Sequence, residues 1–539
     1  MMGIGNIYNF KNSIRHFITI DSIEVPFKIE EIEIGNLSYT EPINFRVRKE
    51  DNKYRMLRIP NILNFFCAYE RFKNYKDFFN PDNMDSRKRL VPNLNTGDFA
   101  TGVYDLQLEN DFHQLCIYDN LIKLDIKSYY GRIYAHHFEF ENLGDEKYLT
   151  NLNLGNTNGL IMGNYISLYF AEKYSKKISD KIKEALVKNK IECDFSYFSD
   201  DFYFFCNKVD NERIIHIFDM VLEEYQLERK SGKIEIWTYL EYNSHHLIEK
   251  YWKKIISNSK FRYKEEKKEK EEKEEKEEKE EKKEKKDKKL YFVNQLIYRM
   301  TNLKDDKQRK TFLTNFFKST YFQELDMKKY TLEDYNCHQL CYMFKFCPEI
   351  MLYSIEKFKY FSYFSEEGFK KFLKKRFNEV LLKPYNEEQL YYYYAVKILG
   401  FDDIFKETEN IVVECNNQVL IAYYLKDNIF NDESIGILKS KKSEQYWFQN
   451  YHLILFTDLN MSLENNIKEY LMPDGIRLNP TDKKSIEIKQ RTYIDFYKKN
   501  LESKISIIKD IENVSGSINE YINLKIEERV KVFGDDNHN

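Results

Sequence analysis

Aromatic residues dominate both sides of a short polar interruption, Ser199-Asp200-Asp201, between residues 195 and 205. Aromatic side chains favour strands, and a polar break between two such runs is typical of a hairpin turn. The pattern therefore predicts a β-hairpin with two adjacent carboxylates at its tip. Adjacent carboxylates repel each other unless a cation lies between them. The alternative is an ordinary turn with solvated aspartates.

A second strand is predicted from the alternating apolar residues at 121–126, with Asp125 near its end and a helix beginning at about Tyr130. In one interpretation, Asp125 is simply the N-cap of that helix. In the other, it faces Asp200 and Asp201. Three carboxylates would then form a site for Mg²⁺ or Mn²⁺, which prefer oxygen ligands. Two such ions support nucleotidyl transfer, by activating the attacking hydroxyl and stabilising the leaving pyrophosphate.

Periodicity assigns most of the remaining chain to helices. In the first half it predicts mostly helical structure at 51–120 with a helix at 62–69, helices at 162–190 and 213–226, and a strand at 234–237. The alternating residues at 27–34 are either a strand or part of an N-terminal extension. Beyond residue 290 it predicts helices almost throughout, among them 387–400 with a glycine end, 411–425, 446–456 and 503–511. We therefore expect an α+β fold that ends in an all-α, helical-repeat-like domain.

Composition limits these expectations without choosing a function. A chain of 539 residues with 42% hydrophobic residues is expected to form two or three domains. The net charge of −3 argues neither for nor against a nucleic-acid partner. A Lys/Glu tract at 264–289 is expected to be a solvated helix or a flexible spacer. The basic triplet Arg87-Lys88-Arg89 is either a phosphate contact or part of a solvated loop.

The eight cysteines and the apolar runs bear on compartment. Cys337, Cys341 and Cys347 lie near His338, but structural zinc sites usually show two clear ligand pairs. We expect buried, reduced thiols in a cytoplasmic protein. No stretch is long and apolar enough to predict a membrane span or a signal peptide.

Five segments, in order, resemble the motifs of reverse transcriptases. Asp125-x-x-x-Tyr-Tyr130 resembles motif A, Gly159-x-x-x-Gly163 followed by Ser167 resembles motif B, and Phe198-Ser-Asp-Asp201 resembles motif C. The segment 227–233, which ends in Lys233, resembles motif D, and 54–61 resembles the fingers motif. Ile161 stands where motif B usually has proline. The resemblance covers roughly the first half of the chain.

The resemblance implies roles for individual residues. Asp125, Asp200 and Asp201 would bind the metal ions, and Arg55 and Arg58 would meet the triphosphate. Tyr130 would pack under the sugar and exclude ribonucleotides. Gly163 would allow close approach of the backbone to the nucleotide, and Lys233 would lie near the departing pyrophosphate.

With its helical second half, the chain resembles bacterial abortive-infection (Abi) polymerases of the AbiK type. This likeness implies an N-terminal extension and fingers (1–120), a palm (121–260), the spacer (261–289) and a helical domain (290–539). It also implies anti-phage defence and DNA synthesis from deoxynucleoside triphosphates by a homo-oligomer, without a template or a nucleic-acid primer. A template-reading reverse transcriptase of a retron-like or RNA-dependent defence system is the main alternative. A silent helical scaffold is another, disfavoured because all three carboxylates are present.

Protein priming would leave single-stranded DNA covalently attached to the chain. A tyrosine hydroxyl can act as the nucleophile. Tyr8 and Tyr39 are candidates because both lie in polar N-terminal stretches outside the predicted core, although ordinary packing is an alternative for each.

Overall fold

The computed structural model describes thirteen stretches of the chain, of which the longest are 101–244 and 305–477. The full set is 4–9, 12–50, 53–75, 77–78, 85–90, 92–93, 98–99, 101–244, 246, 288–289, 292–303, 305–477 and 483–533. The predicted Lys/Glu spacer lies outside these residues except for its last two. Over them the fold is α+β, with small antiparallel sheets in the first half and a second half that is almost entirely helical.

The first half combines short strands with helices of very different length. The strands are β1 (Ile43–Glu50), β2 (Lys53–Ile59), β3 (Pro92–Asn93), β4 (Asp98–Phe99), β5 (Asn120–Asp125), β6 (Cys193–Phe198), β7 (Asp201–Cys206) and β8 (Glu235–Trp237). The helices are α1 (Ile4–Tyr8), α2 (Asn12–Phe17), α3 (Ile62–Phe72), α4 (Thr101–Ile117), α5 (Tyr129–Arg132), α6 (Glu146–Thr150), α7 (Tyr165–Lys188) and α8 (Asn211–Glu224).

A four-stranded antiparallel sheet in the order β6-β7-β5-β8 organises this half. The predicted hairpin is confirmed: β6 and β7 are joined by Ser199 and Asp200, and Ser199 has φ 53°, as tight hairpin turns require. The predicted strand ending at Asp125 is also confirmed and lies between β7 and β8. Helices α7 and α8 cover one face of the sheet with residues such as Phe218, which contacts the rings of Phe202 and Phe204.

Two predictions for the first half are wrong: the strand interpretation of 27–34 and the length of the helix from Tyr130. Residues 27–34 form two 3₁₀ turns, Ile29–Glu31 and Ile34–Asn36, because no neighbouring strand pairs with them among the described residues and their apolar side chains pack on helices. The helix expected from Tyr130 stops at Arg132 and is followed by a 3₁₀ turn. Residues 51–120, predicted to be mostly helical, contain α3 and α4 but begin with strand β2, which pairs with β1.

The second half is a succession of helices. They are α9 (Phe292–Asn302), α10 (Asp306–Phe317), α11 (Thr320–Gln323), α12 (Asp334–Phe346), α13 (Ile350–Phe358), α14 (Glu367–Leu381), α15 (Asn386–Ile398), α16 (Asp403–Glu414), α17 (Gln418–Lys426), α18 (Asp432–Ser440), α19 (Trp447–Phe456), α20 (Leu463–Tyr470), α21 (Asp474–Arg477), α22 (Lys483–Glu502) and α23 (Ile511–Phe533). Two-residue strands, β9 (Lys288–Lys289) and β10 (Tyr330–Thr331), pair in parallel.

The helices predicted at 387–400 and 446–456 are confirmed, and Gly400 has φ +73° where the first of them ends. The stretch 411–425 is helical as predicted except at 415–417, where Asn417 caps a new helix by accepting a hydrogen bond from the backbone N–H of Leu420. The helix predicted at 503–511 is wrong: this stretch connects α22 to α23 and donates a backbone hydrogen bond from Lys509 to Phe17.

The two halves share one continuous cluster of buried apolar side chains, which extends from Ile7 to Ile522. Strand β1 lies against α15, where the amides of Arg46 and Arg48 donate to the Asn386 and Glu387 side chains at 2.7 and 2.5 Å. Because the halves interlock in this way, the helical half supports the strands that precede the sheet. The predicted domain boundaries stay a prediction.

Two further observations concern the cysteines and the possibility of membrane-spanning helices. Cys337, Cys341 and Cys347 are free thiols, and burial raises the pKa of Cys337 to about 12 and that of Cys341 to about 11. Across the described ranges, no helix is both long enough and apolar enough to cross a membrane.

The basic triplet at 87–89 is neither a solvated loop nor an open phosphate site. Arg87 pairs with Asp85 and Asp180, and the ammonium of Lys88 lies 2.7 Å from the Glu172 carboxylate. Arg89 is buried and donates in bidentate fashion to Asp111. The triplet lies along the outer edge of β6, where backbone hydrogen bonds join Arg89 and Arg87 to Tyr197. Its charged side chains therefore pair with residues of α4 and α7, while its backbone is hydrogen-bonded to the sheet.

We expect Asp111→Ala to lower the free energy of unfolding by about 3–5 kcal/mol, because it leaves the Arg89 guanidinium buried without its anion. Urea unfolding followed by circular dichroism measures this loss. The control is Asp210→Ala, which breaks the 2.6 Å surface ion pair with Arg213 and is expected to cost less than about 1 kcal/mol. Equal losses in the two variants would contradict the assignment of Asp111 to a structural pair.

Candidate functional site

Three carboxylates meet at one end of the sheet. Asp125, the last residue of β5, is the direct cross-strand partner of Asp201, the first residue of β7. Asp200 occupies the turn just before β7, and its carbonyl accepts a hydrogen bond of 2.9 Å from the amide of Ile126. The predicted convergence of the strand-end aspartate with the hairpin pair is therefore present in the backbone. The N-cap interpretation of Asp125 is wrong, because Ser128, and not Asp125, precedes α5.

Lysine ammonium groups accompany two of the three carboxylates. Lys233 hydrogen-bonds to Asp125 Oδ2 and lies 3.9 Å from Asp201 Oδ1. Lys123 approaches Asp201 Oδ2 at 3.2 Å, and Lys230 approaches Asp125 Oδ2 at 3.6 Å. The ammonium of Lys233 thus lies between two strands' carboxylates, where it offsets their mutual repulsion.

Asp200 is the carboxylate whose ionisation is most perturbed. Burial, followed by the charges of Asp201 and Asp125, raises its pKa to about 6, and the more distant charge of Arg55 opposes the rise. A carboxyl group behaves in this way when it is desolvated beside like charges. A further positive charge at this end of the sheet would therefore stabilise its ionised form.

The site fits a divalent cation in donor type and charge. Its donors are carboxylate oxygens, as Mg²⁺ and Mn²⁺ prefer. One of them, Asp201 Oδ1, is buried without a hydrogen-bond partner. Among the described residues, however, no group of three or more His, Cys, Asp or Glu side chains is arranged to bind a metal ion without rearrangement. A metal ion bound here would have to replace Lys233 beside Asp125.

The segment that carries Lys233 is held to β5 by its backbone. The amide of Lys230 donates to the carbonyl of Asp125 at 2.8 Å, and the amide of Lys127 donates to that of Glu228 at 2.9 Å. A side-chain pair, Arg229 with Asp219 at 2.8 Å, ties the same segment to α8. Gly232, with φ +76°, then turns the chain so that Lys233 follows directly. These hydrogen bonds and the turn at Gly232 thus hold Lys233 beside the carboxylates.

Tyr130 lies between the carboxylates and the loop before α7. Burial, and then the charges of Glu172 and Asp200, raise the pKa of its hydroxyl, whereas interactions with Ser199 and Arg55 oppose the rise. Its carbonyl accepts a hydrogen bond of 2.8 Å from the amide of Leu160. The aromatic ring predicted to meet the sugar is therefore next to the hairpin turn.

The two glycines of the loop before α7 are both in conformations that other residues rarely adopt. Gly159 has φ +92°, and a Cβ there would lie 3.3 Å from the carbonyl oxygen of Gly131. Gly163 has φ +128°, and a Cβ there would lie 3.4 Å from the Cβ of Leu57 on β2. In this close approach, the amide of Arg58 donates to the carbonyl of Met162 at 2.7 Å. The β1–β2 hairpin and the loop before α7 are therefore in direct contact at Gly163.

Arg55 and Arg58, on β2, are both exposed at this junction. Arg55 is close enough to act electrostatically on both Asp200 and Tyr130. The guanidinium of Arg58 donates to Asn153 Oδ1 at 2.9 Å. Ser167, in contrast, is fully buried in α7.

The two tyrosines considered as priming residues have different environments. Tyr8 is buried, donates to the carbonyl of Pro60 at 2.7 Å and packs edge-on against Phe65. The expectation that it lies outside the core is wrong. Tyr39 is 39% exposed and packs beside Gly155 and Gly475.

Sequence reasoning missed two residues of the site. Lys123 is two positions before Asp125 in β5 and therefore on the same face of the strand, a signal that could have identified it. Asn153 had no signal, because its contacts with Arg58 and with the carbonyl of Gly159 join distant segments.

The comparisons with known proteins do not identify a function for the chain. No family model matches the chain, and no curated protein matches it.

Proposed function

We propose that the chain is a reverse-transcriptase-like DNA polymerase of anti-phage defence that transfers deoxynucleotides with the help of Mg²⁺ or Mn²⁺. The observation that carries the proposal is the pairing of Asp125 with Asp201 across β5 and β7, beside the Asp200 turn. A strand-end aspartate that faces an aspartate pair on a hairpin supports a two-metal nucleotidyl transfer site. In this proposal the four-stranded sheet is the palm and the β1–β2 hairpin belongs to the fingers.

The residues around the carboxylates support separate tasks. Asp125, Asp200 and Asp201 would hold the metal ions, which activate the attacking hydroxyl and stabilise the leaving pyrophosphate. Arg55 and Arg58 are exposed and can bind the triphosphate, since guanidinium groups match phosphate geometry. Tyr130 packs under the sugar of the incoming nucleotide. Lys233 leaves the carboxylates when metal binds and is then available to the pyrophosphate.

The transfer itself is a displacement at phosphorus. The oxygen of a hydroxyl forms a bond to the α-phosphorus of a deoxynucleoside triphosphate, and the bond from that phosphorus to the pyrophosphate oxygen breaks. The hydroxyl proton passes to water, and pyrophosphate leaves with its electron pair. Growth of the chain repeats this step with the new 3′-hydroxyl.

The first hydroxyl is proposed to come from a tyrosine of the protein, and of the two candidates Tyr39 is favoured. It is partly exposed, and the turn that packs beside it, at Gly155, also carries Asn153, which contacts Arg58. Tyr8 is disfavoured because its hydroxyl is buried and already hydrogen-bonded to a carbonyl. The DNA product would then remain attached to the chain, and a homo-oligomer stays a prediction.

Tyr39→Phe should remove the covalent attachment of DNA, because a phenyl ring carries no nucleophilic oxygen. The protein is purified from cells, trimmed with nuclease and examined by mass spectrometry for a tyrosine that carries a deoxynucleotide phosphate. Tyr54→Phe, at another exposed tyrosine, is the control and should leave attachment unchanged. Unmodified wild-type protein that extends an annealed oligonucleotide on an RNA template would favour the template-reading alternative instead.

Removal of residues 264–289, with a short flexible linker in their place, should leave the rate of polymerisation nearly unchanged. The tract has almost balanced charge and supplies no residue to the proposed site. The rate of deoxynucleotide incorporation by the purified deletion variant provides the measurement. A folded but inactive deletion variant would show that the tract positions the catalytic half.

A further inference from the structure

A second cavity lies away from the three carboxylates, between the N-terminal segment and the helical half. Its volume is about 370 Å³, at the lower end of the range of about 300–1,000 Å³ that small-molecule sites occupy. One wall is formed by residues 34–39 and by Lys147 of α6, and the other by α21 and the first turns of α22. It brings together segments that are far apart in sequence, and of its lining residues the polymerase proposal uses only Tyr39, as the favoured priming residue.

Two lysines give this cavity a positive lining. Lys147 and Lys489 both line it, and no carboxylate side chain does so among the residues that the structure describes. Neither ammonium group forms an ion pair with another described residue. The first turn of the long helix α22 also borders the cavity, at Ser485 and Ile486, and the N-terminal end of a helix favours anions. A negatively charged ligand would therefore meet two ammonium groups that form no ion pair within the described part of the chain.

The remaining lining suits a flat apolar group. The ring of Tyr39 lines the cavity together with aliphatic side chains, among them Leu37 and Ile476. Gly475 holds the ring in place by close packing, since a Cβ there would lie 2.8 Å from Tyr39 Cζ. An aromatic ring beside aliphatic side chains is a surface on which a nucleobase can stack.

Three carboxyl groups lie together beside the cavity, since burial, together with the charges of Asp474 and Glu41, raises the pKa of Glu444, but none of the three is among the described lining residues. Glu444 is buried, and its two carboxylate oxygens accept from the backbone amides of Glu41 and Asp474, at 2.7 and 2.9 Å. These bonds fasten the start of α21 to the segment after Tyr39. Glu444 thus connects the two walls of the cavity through hydrogen bonds to the backbone of each.

We propose that this cavity binds a nucleoside phosphate, with the phosphate between Lys147 and Lys489 and the base against Tyr39. The ligand could be a free nucleotide or the 5′-phosphate end of single-stranded DNA, which share this chemistry. The inference does not depend on the proposed polymerase activity, because it concerns binding alone at residues outside the carboxylate site.

Equilibrium binding of dAMP to the full chain, with chelator present so that no divalent cation contributes, tests the proposal. We expect saturable binding that falls at least tenfold in Lys147→Gln and in Lys489→Gln, and that is retained in Lys489→Arg. Lys498→Gln, on the same helix α22 but outside the cavity, should bind as the wild type does. Circular dichroism verifies that each variant is folded.

Two further binding measurements show which ligand is bound and at which site. Tighter binding of a 5′-phosphorylated tetrathymidylate than of dAMP would identify the DNA end as the ligand, and the reverse order would identify the free nucleotide. Binding that is lost in Arg55→Gln but unchanged in Lys489→Gln would overturn the proposal, because Arg55 lies at the carboxylate site. No saturable binding of either probe would overturn it as well.

Discussion

Asp200→Asn is expected to abolish deoxynucleotide incorporation while the protein stays folded. The substitution keeps the shape of the side chain but removes the negative charge that a metal ion would neutralise. Loss of a group on which the chemical step depends typically costs at least ~10³-fold in rate. Incorporation of labelled deoxynucleotide by purified protein in the presence of Mg²⁺ or Mn²⁺ measures this loss. Asp125→Asn should have the same effect.

The same variant should be more stable than the wild type in metal-free buffer. Burial and like charges raise the pKa of Asp200 in the folded protein to about 6, above its usual value. The wild type therefore loses stability as the pH rises through the interval between the usual pKa and 6. At pH 8, where Asp200 is ionised, Asp200→Asn should raise the free energy of unfolding by about 1–3 kcal/mol. At pH 3 the difference should disappear.

A matched control is Asp402→Asn, which changes an exposed aspartate of another Asp-Asp pair in the helical half. It should leave both the incorporation rate and the metal-free stability close to those of the wild type. Full activity of folded Asp200→Asn would refute the assignment of Asp200 to the metal site. Unchanged metal-free stability at pH 8 would refute the electrostatic description of the three carboxylates.

Tyr130→Ala is expected to weaken the discrimination between deoxynucleotides and ribonucleotides. In the proposed function the ring packs under the sugar and leaves no room for a 2′-hydroxyl. Its removal opens that space, and the ratio of kcat/KM for dATP over ATP should fall by about 10-fold or more, as steric rejection of one small group usually provides. Steady-state kinetics with both nucleotides gives the ratio directly.

Tyr134→Ala serves as the control for this experiment, since Tyr134 is an exposed tyrosine four residues further along the same segment. It should leave the ratio unchanged. A ratio that falls equally in the two variants would indicate a general loosening of the segment. An unchanged ratio in Tyr130→Ala would show that another residue selects the sugar.

The strands of the site were predictable because their signals are local. Alternation at 121–126 and the aromatic arms around Asp200 determine both strands and the turn, and antiparallel pairing then brings Asp125 opposite Asp201. The burial of Tyr8 was also predictable, since Ile4, Ile7 and Tyr8 share one face of a helix.

Other features depend on contacts between distant residues and have no local signal. Lys233 reaches Asp125 across 108 positions, and β1 is hydrogen-bonded to a helix that begins about 340 positions later. The 3₁₀ turns at 29–36 depend in the same way on the helices that cover them. Periodicity describes one element at a time, so it predicted the strands that carry the carboxylates. Lys233 was predicted through the motif D resemblance, but its contact with Asp125 was not.

The most direct measurement is the transfer of labelled dATP to the protein itself. Purified wild-type and Asp200→Asn chains are incubated with labelled dATP and Mg²⁺, denatured and separated by electrophoresis, and the label on the protein band is counted. Label that migrates with the wild type, is released by nuclease, and is absent from Asp200→Asn and from samples with chelator is the expected result. Equal labelling of the two chains, or labelling that persists without a divalent cation, would contradict metal-dependent transfer by the three carboxylates.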